Sequence, residues 1–283
     1  MLPKLGLIAG GGLLPVEIIK SCLSNGRPVF VIALKGLTDP DLGLNLSKDN
    51  IATVRLGAAG TSVALLHQAG VDELVMAGSV NRPSLLQLLP DLWTAKFLFK
   101  SAALSFGDDG LLRRLITTLE KDEGFRVVGA DSLLQHLLVA EGGLTDTPYP
   151  DNFEKDLKVG IKEALALGQQ DIGQAVVVQE GKVIAKEGPE GTDGLLEQVA
   201  SLKQRSDGGL LVKMMKPVQE RRVDLPAFGP HTLDGIKRAR LSGIAIDAGN
   251  AFILDKDKVI EIATRDNLIV HGISTLQVAS ADD

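Results

Sequence analysis

The sequence predicts an α/β protein built from two domains, and three observations lead to this fold class. At 283 residues the chain is longer than most single domains. In its first half, short apolar runs alternate with segments of helical spacing, which is typical of a parallel sheet covered by helices on both faces. Residues 141–150 then break every periodicity with glycine, threonine and proline. We therefore expect a Rossmann-like N-terminal domain (1–140), a linker (141–150) and a second α/β or α+β domain (151–283).

The elements of the first half follow from hydrophobic spacing and turn signals. Runs of valine, isoleucine and leucine bounded by turn residues predict strands at 5–9, 29–34, 51–56, 73–77 and 126–128. Apolar residues three and four positions apart predict helices at 13–24, 61–68, 84–89, 92–104 and 110–121.

The second half is predicted in the same way. Helices are expected at 152–167, 194–203 and 231–241. Strands are expected at 175–179, 182–186, 244–248, 252–254 and 268–271. One more strand should begin the charged stretch described below.

Composition limits the class of protein. Charged residues make up 23%, hydrophobic residues 45%, and the net charge is -6, which is ordinary for a globular protein in water. Nucleic acid is not an expected partner, because basic residues are outnumbered and form no block. The one cysteine, Cys22, excludes a disulfide framework and a cysteine-based metal site. No signal peptide and no membrane span is expected, and a cytoplasmic location fits best.

The most informative stretch runs from Lys213 to Thr232. Its charges are interleaved with valine, leucine, phenylalanine and proline, which predicts a strand, a rigid turn and a helix start beside a core. Cations held beside an acid fit a site that binds a phosphorylated substrate and a metal or a water. Asp224 is the candidate metal ligand or general base. The alternative is a surface segment in which Asp224 pairs with Arg221 or Arg222.

A glycine run, Gly10-Gly11-Gly12, follows the first predicted strand and opens a helix. Backbone amides at such a turn can bind a phosphate group. A nicotinamide fingerprint is not matched, because Pro15 stands where its third glycine belongs and the second strand ends without an acid. A phosphate contact and a purely structural turn both remain open.

Acidic residues also open two helices. Asp108 and Asp109 precede one, where the first role is an N-cap and a second carboxylate is available for a cation. Glu190-Gly191-Thr192-Asp193 opens another, with Thr192 or Asp193 as the cap. The four histidines lack metal-ligand spacing, so we interpret them as structural.

Taken together, these motifs resemble a known family over nearly the whole chain: the LpxI-type UDP-2,3-diacylglucosamine pyrophosphatases of bacterial lipid A synthesis. The resemblance implies metal-dependent hydrolysis of the substrate pyrophosphate to UMP and 2,3-diacylglucosamine 1-phosphate, on two domains with the substrate between them. It also implies that Asp224 is the critical aspartate and that the C-terminal domain is catalytic. The matching motifs span residues 6–15, 77–83, 107–112, 190–193, 216–226 and 229–232.

Site residues follow from this resemblance and from the needs of the chemistry. Phosphoryl oxygens require charge neutralisation and a positioned water. Lys213, Lys216 and Arg222 would neutralise charge, while Asp224, with Glu190 or Asp193, would hold Mg²⁺ or another divalent cation. The implied substrate-binding residues are Gly10, Gly11, Gly12, Asn81, Arg82, Asp109, Thr192 and Thr232.

The resemblance further implies a lipid-linked UDP-sugar as substrate, peripheral association with the cytoplasmic face of the inner membrane, and compatibility with a homodimer. Residues 85–104, with Trp93, Phe97 and Phe99, are expected to form a buried helix pair, the alternative being an apolar groove for acyl chains. Two other functions stay open: a nicotinamide-dependent oxidoreductase, and a non-catalytic nucleotide-sugar or lipid-binding module.

Overall fold

The computed structural model describes residues 2–39, 42, 46–80, 88–100, 108–202, 206–217 and 219–281. The chain divides into two compact units. Unit 1 comprises Met1–Gln135 together with Glu220–Asp224, and unit 2 comprises His136–Gln219 and Leu225–Asp283. The five residues Glu220–Asp224 thus belong to unit 1, although the chain on either side of them belongs to unit 2.

Unit 1 contains a parallel sheet with the strand order β3-β2-β1-β4-β5. Every residue of β2 is buried, as expected for a strand covered on both faces. This confirms the predicted parallel α/β fold of the N-terminal half. The strands are β1 (Leu5–Ala9), β2 (Val29–Leu34), β3 (Ile51–Val54), β4 (Glu73–Ala77) and β5 (Arg126–Val127).

Helices of unit 1 cover this sheet. Leu66, Leu74 and Ile116 are fully buried in its core, and Val223 packs against the same cluster. Val223 therefore attaches the Glu220–Asp224 segment to unit 1. The helices are α1 (Leu14–Ser24), α2 (Ala59–Gln68), α3 (Leu92–Lys100), α4 (Asp108–Lys121) and α5 (Ala130–Leu133).

Unit 2 contains a mixed sheet with the strand order β6-β13-β11-β9-β7-β8. Its strands are β6 (Gly142–Gly143), β7 (Ala175–Gln179), β8 (Lys182–Lys186), β9 (Leu210–Lys213), β11 (Gly243–Asp247) and β13 (Ile269–Ile273). A separate parallel pair is formed by β10 (Ala227–Phe228) and β12 (Phe252–Ile253). Strands β9, β11 and β13 are parallel, whereas β7 runs antiparallel to both β8 and β9. Consequently β8 runs in the same direction as β9.

Two apolar clusters sandwich this sheet. Leu157 and Ile161 of α6 pack with Val212 on one face. On the other face, Leu196 and Ile236 pack with residues of the same strands that point the opposite way. The helices of unit 2 are α6 (Phe153–Gln169), α7 (Gly191–Ala200), α8 (Pro230–Arg238), α9 (Lys256–Arg265) and α10 (Thr275–Ala281).

Residues 141–150, interpreted from the sequence as a linker, are incorporated in unit 2. Gly142 and Gly143 pair with β13 as strand β6. The Thr145 and Thr147 hydroxyls both donate to the Leu268 carbonyl, each at a distance of 3.1 Å. Tyr149 Oη lies 2.9 Å from His271 Nδ1. The irregular composition here reflects an edge strand followed by an anchored loop.

The leucine-rich segment departs from its prediction. Residues 84–87 and 101–104 of the predicted helix pair lie outside the described residues. In α3, however, Leu92 is 92% exposed and Phe99 is 89% exposed, so the expectation that this helix is buried is wrong. Among the described residues, no helix is long and apolar enough to cross a membrane.

Candidate functional site

The candidate site in unit 2 lies at the carboxyl ends of its parallel strands. Lys213 is the last residue of β9 and is in register with Ile246, so Asp247 follows at the same edge. Because β8 runs in the same direction, the loop after β8 and the start of α7 belong to this edge as well. Ligands of open α/β sheets bind outside such carboxyl ends.

A buried chain of hydrogen bonds orients Lys213. Its ammonium donates to Thr192 Oγ1 at 3.0 Å, and the Thr192 hydroxyl in turn donates to Glu187 Oε1 at 2.6 Å. The direction is fixed, since an ammonium only donates, a carboxylate only accepts and the hydroxyl has one proton. Glu187 Oε2 also accepts a hydrogen bond from the backbone N–H of Gln174, at 2.6 Å. Both Lys213 and Glu187 are buried.

The sequence motifs do not predict Glu187 and Asp247. Asp247 is buried, and its carboxylate accepts the Met215 amide N–H at 3.3 Å and the Asn250 side-chain amide at 3.0 Å. Each residue stands at the carboxyl end of a predicted strand, and that position was the available signal. Glu187 fixes the lysine that ends β9, and Asp247 fixes the turn that follows it.

The acidic loop before α7 differs from the expected capping arrangement. Glu190 occupies the N-cap position without a capping hydrogen bond from its side chain. Thr192 does not cap the helix, because its hydroxyl is engaged by Glu187 and Lys213. Asp193 Oδ2 lies 3.7 Å from His231 Nε2, and both side chains are exposed. Thr232 lies beside His231 in the first turn of α8.

Lys216 lies in the turn after β9. Its ammonium pairs with Asp171 Oδ1 at 2.6 Å, and its amide N–H donates to Gln219 Oε1 at 3.1 Å. Gln219 is 6% exposed, and its Nε2 has no hydrogen-bond partner within the described residues. A buried amide N–H without a partner is costly, which makes Gln219 a candidate donor to a ligand.

In unit 1, the arginines of the charged motif are held by carboxylates other than Asp224. Arg222 Nε and Nη2 lie 3.0 and 3.4 Å from the two Glu220 carboxylate oxygens, and Nη1 lies 3.0 Å from Glu120. Arg221 Nε donates to Asp131 at 2.9 Å. Hydrogen bonding from Arg222 lowers the pKa of Glu220, and Glu220 raises the pKa of Arg222 in return.

Asp224 itself ends a turn, in which its amide N–H donates to the Glu220 carbonyl at 3.1 Å. Its side chain is half-buried. Within the described parts of the chain, no hydrogen bond or ion pair engages its carboxylate. The alternative in which Asp224 pairs with Arg221 or Arg222 is therefore not what the structure shows.

The glycine run is partly a structural turn. The Gly10 amide donates to the Ala77 carbonyl and the Gly11 amide to the Ser79 carbonyl, each at 2.8 Å. A Cβ at Gly10 would lie 2.6 Å from the Ser79 carbonyl oxygen, so this loop approaches too closely for a side chain. Gly12 has a φ of +87°, faces open space, and its amide donates to no acceptor among the described residues. Of the three predicted phosphate-binding amides, only that of Gly12 is available.

Comparison with known proteins decides the family. The LpxI N-terminal domain model matches residues 4–137, and the LpxI C-terminal domain model matches residues 140–271. The chain belongs to the LpxI family. A UDP-2,3-diacylglucosamine pyrophosphatase LpxI from Caulobacter vibrioides is 39% identical over 278 residues, covering 95% of this chain and 97% of that protein. The family predicted from the sequence motifs is thus confirmed.

Among solved structures, N5-carboxyaminoimidazole synthase from Aspergillus clavatus, in complex with ADP and 5-aminoimidazole ribonucleotide, matches 72% of this chain and 44% of its own, with 12% identity. Its TM-score is 0.25, so no conclusion rests on this likeness.

Three predicted substrate-binding residues of this LpxI-family chain have no described side chain. Asn81 and Arg82 lie outside the described residues, and Asp109 is described only as a backbone position in the first turn of α4. Nor do the described ranges contain a group of three or more His, Cys, Asp or Glu side chains that could hold a metal ion.

Proposed function

We propose that this LpxI-family chain is a UDP-2,3-diacylglucosamine pyrophosphatase, which uses water to split the substrate pyrophosphate into UMP and 2,3-diacylglucosamine 1-phosphate. One observation carries this proposal: the 39% identity to the Caulobacter vibrioides enzyme extends over nearly the full length of both chains. Of the residues on which the reaction would depend, Lys213 is held by a hydrogen bond to Thr192.

In unit 2, we assign charge neutralisation on the pyrophosphate to Lys213. Its ammonium is fixed in direction by Thr192, at the edge of the sheet where α/β proteins bind ligands. A preorganised cation stabilises the charge that develops on the phosphoryl oxygens without reorganisation during the reaction. The amide of Gln219 and the start of α7 supply further donors within the same unit.

In unit 1, we assign the attacking water to Asp224. No hydrogen bond or ion pair within the described residues engages this carboxylate, so its oxygens can accept a water proton or bind a cation. A divalent cation, when bound, would neutralise the pyrophosphate and lower the pKa of a bound water. These carboxylates fit a cation that is bound in the way common for Mg²⁺. One or two carboxylates then supply part of the coordination shell, and substrate phosphates and waters complete it. Glu190 and Asp193 are the other carboxylates we propose for it.

The other two predicted cationic residues, Arg222 and Lys216, are weaker candidates for contact with the pyrophosphate. Arg222 bridges Glu220 and Glu120, so its charge is already balanced. The sequence predicts that Arg222 neutralises charge on the phosphoryl oxygens. We now expect Arg222 to hold the Glu220–Asp224 segment in position instead. Lys216 is paired with Asp171 and ranks below Lys213 for the same reason.

Product analysis tests the proposal. Purified protein is incubated with UDP-2,3-diacylglucosamine, with and without Mg²⁺, and the products are separated. UMP and the diacylated sugar phosphate in equal amounts support it. Binding of the nucleotide lipid without any product would favour a carrier, and oxidation of an added nicotinamide would favour a dehydrogenase. We further propose that the enzyme works at the cytoplasmic face of the inner membrane, because its substrate is a membrane lipid.

A further inference from the structure

Helix α3 of unit 1 turns apolar side chains toward solvent as well as toward the core, against which Trp93 packs. Its exposed residues, Leu92, Ala95, Lys96, Phe99 and Lys100, follow the spacing of one helix face. We call this set the α3 stripe. On the opposite face the polar residue Thr94 is only 6% exposed. The helix therefore buries a hydroxyl and leaves a leucine and a phenylalanine almost fully in water.

Contacts with the rest of unit 1 fix this orientation. Thr94 Oγ1 donates to Asp91 Oδ1 at 2.8 Å and accepts the Ala59 amide N–H at 3.1 Å. The Trp93 indole N–H donates to Glu123 Oε1 at 2.6 Å. Rotating α3 to bury Leu92 and Phe99 would break the hydrogen bonds to Ala59 and Glu123, so the outward position of the stripe is a property of the fold.

The α3 stripe is basic, although the chain as a whole is acidic. Lys96 and Lys100 are exposed on it, whereas the whole chain has a net charge of -6. The same two lysines line a groove of about 540 Å³ with Arg114 of α4. Asp122 and Glu123 also line this groove, but the Glu123 carboxylate is engaged by Trp93 and lies 3.5 Å from His67 Nε2.

We propose that the α3 stripe docks on an anionic lipid bilayer. Leucine and phenylalanine flanked by lysines are the side chains of helices that lie in the membrane interface, where apolar groups enter the acyl boundary and ammonium groups meet lipid phosphates. An anionic membrane complements the apolar groups and the lysines together, and it is the phase in which the lipid substrate of the proposed function resides. The inference rests on the proposed function only in that the substrate is a membrane lipid.

The chain carries its own probe of this surface. Its single tryptophan, Trp93, is in α3. Adding vesicles that contain phosphatidylglycerol should shift the Trp93 emission and should sediment the protein with the vesicles. Pure phosphatidylcholine vesicles should bind at least about tenfold more weakly, and about 0.5 M salt should reverse most of the binding because it screens the lysines.

Paired variants assign the binding to the stripe. Leu92→Glu with Phe99→Glu should weaken vesicle binding by about tenfold or more, and so should Lys96→Glu with Lys100→Glu. The matched controls are Leu276→Glu, at a leucine that is 81% exposed in unit 2, and Lys158→Glu with Lys162→Glu, which have the same spacing on α6. These controls should bind like the parent. Thermal unfolding of all variants checks that the fold is intact.

Three results would overturn the inference. The first is equal binding to charged and neutral vesicles. The second is an equal loss of vesicle binding in the stripe variants and the control variants. The third is stripe variants that still bind vesicles but change the oligomeric state, which would mark a contact between copies of the chain. The enzymatic proposal is tested separately with the parent protein and substrate dispersed in non-ionic detergent. Vesicle binding without turnover would refute the enzyme and keep the surface, and turnover without vesicle binding would do the reverse.

Discussion

At the scale of single residues, Asp224 is the side chain on which the reaction should depend most. Asp224→Ala removes an interaction realised mainly in the transition state, so kcat should fall by about a hundredfold or more while KM changes little. Loss of a negative charge facing a pyrophosphate can even tighten substrate binding. Steady-state kinetics and nucleotide-lipid binding are the measurements.

Asp72→Ala is the control for that variant, because it removes an equal charge from an exposed position of the same unit. It should behave like the parent. An Asp224→Ala protein within about tenfold of the parent kcat would show that Asp224 has no part in the chemistry.

Glu187 should act through Lys213. In Glu187→Gln the volume is unchanged, but an amide has only one accepting oxygen, and Glu187 accepts from both Thr192 and the Gln174 amide. One of these bonds must reverse or break, so Lys213 loses its fixed direction. We expect kcat/KM to fall by about tenfold or more, with a smaller change in the free energy of unfolding, about 1–3 kcal/mol.

Thr192 tests the same chain of hydrogen bonds from its middle. Thr192→Ser keeps the hydroxyl and should retain activity within a few fold, whereas Thr192→Val should lose as much as Glu187→Gln. Equal activity of the serine and valine variants would mean that the hydroxyl does not position Lys213.

At the scale of elements, the turn after β1 contains two glycines, Gly10 and Gly12, whose expected roles differ. Gly10→Ala should destabilise unit 1, because its Cβ would lie 2.6 Å from the Ser79 carbonyl oxygen. Gly12→Ala meets no atom and should cost only about 1 kcal/mol for its positive φ, yet it should weaken substrate binding if the Gly12 amide contacts a phosphate. Thermal unfolding and binding, measured on both variants, separate the roles. Unchanged binding in folded Gly12→Ala would leave the turn purely structural.

The Glu220–Asp224 segment should show a pH dependence set by Glu220. Its pKa is lowered in the folded protein, mainly by hydrogen bonding from Arg222, so its contribution to stability is present above the pKa of the unfolded chain, about 4.3. That contribution is lost as pH falls through the lower folded pKa. Glu220→Gln should therefore be less stable than the parent at pH 7, and the difference should shrink below about pH 4. A difference that stays constant from pH 7 to pH 3 would argue against this ion pair.

At the scale of the whole molecule, the sequence predicted what depends on local pattern. The longer β strands were found because fully buried runs such as Val29–Leu34 cannot be mistaken for solvent-exposed segments, whereas the two-residue strands β6 and β10 were not predicted. Asp224 was predicted as a site residue because charged residues are interleaved with apolar residues and proline around it. Features that depend on distant contacts were missed. The Gly10 and Gly11 amides are occupied because β1 and β4 are neighbours in the sheet. Glu187 is linked to Lys213, through Thr192, only after β7 has paired with both β8 and β9.

Helix α3 shows a second limit of sequence patterns. Its spacing of apolar residues is that of a core helix, and periodicity alone does not say which face is covered. Ala59 and Glu123 decide this, through hydrogen bonds to Thr94 and Trp93 that fix which face of α3 is turned inward. Val223 is a similar case, because only the folded chain places it against the core of unit 1.

The proposed metal requirement can be tested on the whole molecule. Mg²⁺ sites commonly combine one or two carboxylates with substrate phosphates and waters, so we expect a divalent cation to bind the protein alone weakly and to bind more tightly once substrate phosphates complete its shell. Titration with Mn²⁺, followed by its paramagnetic signal with and without UDP, measures this directly and does not require turnover. EDTA should abolish turnover, and Mg²⁺ or Mn²⁺ should restore it, since carboxylates without histidine or cysteine favour such oxygen-preferring cations. In Asp224→Ala, the enhancement of Mn²⁺ binding by UDP should be lost, whereas in Asp72→Ala it should persist. Full activity in a thoroughly chelated sample would remove the cation from the mechanism and leave Lys213 as the principal counter-charge to the pyrophosphate.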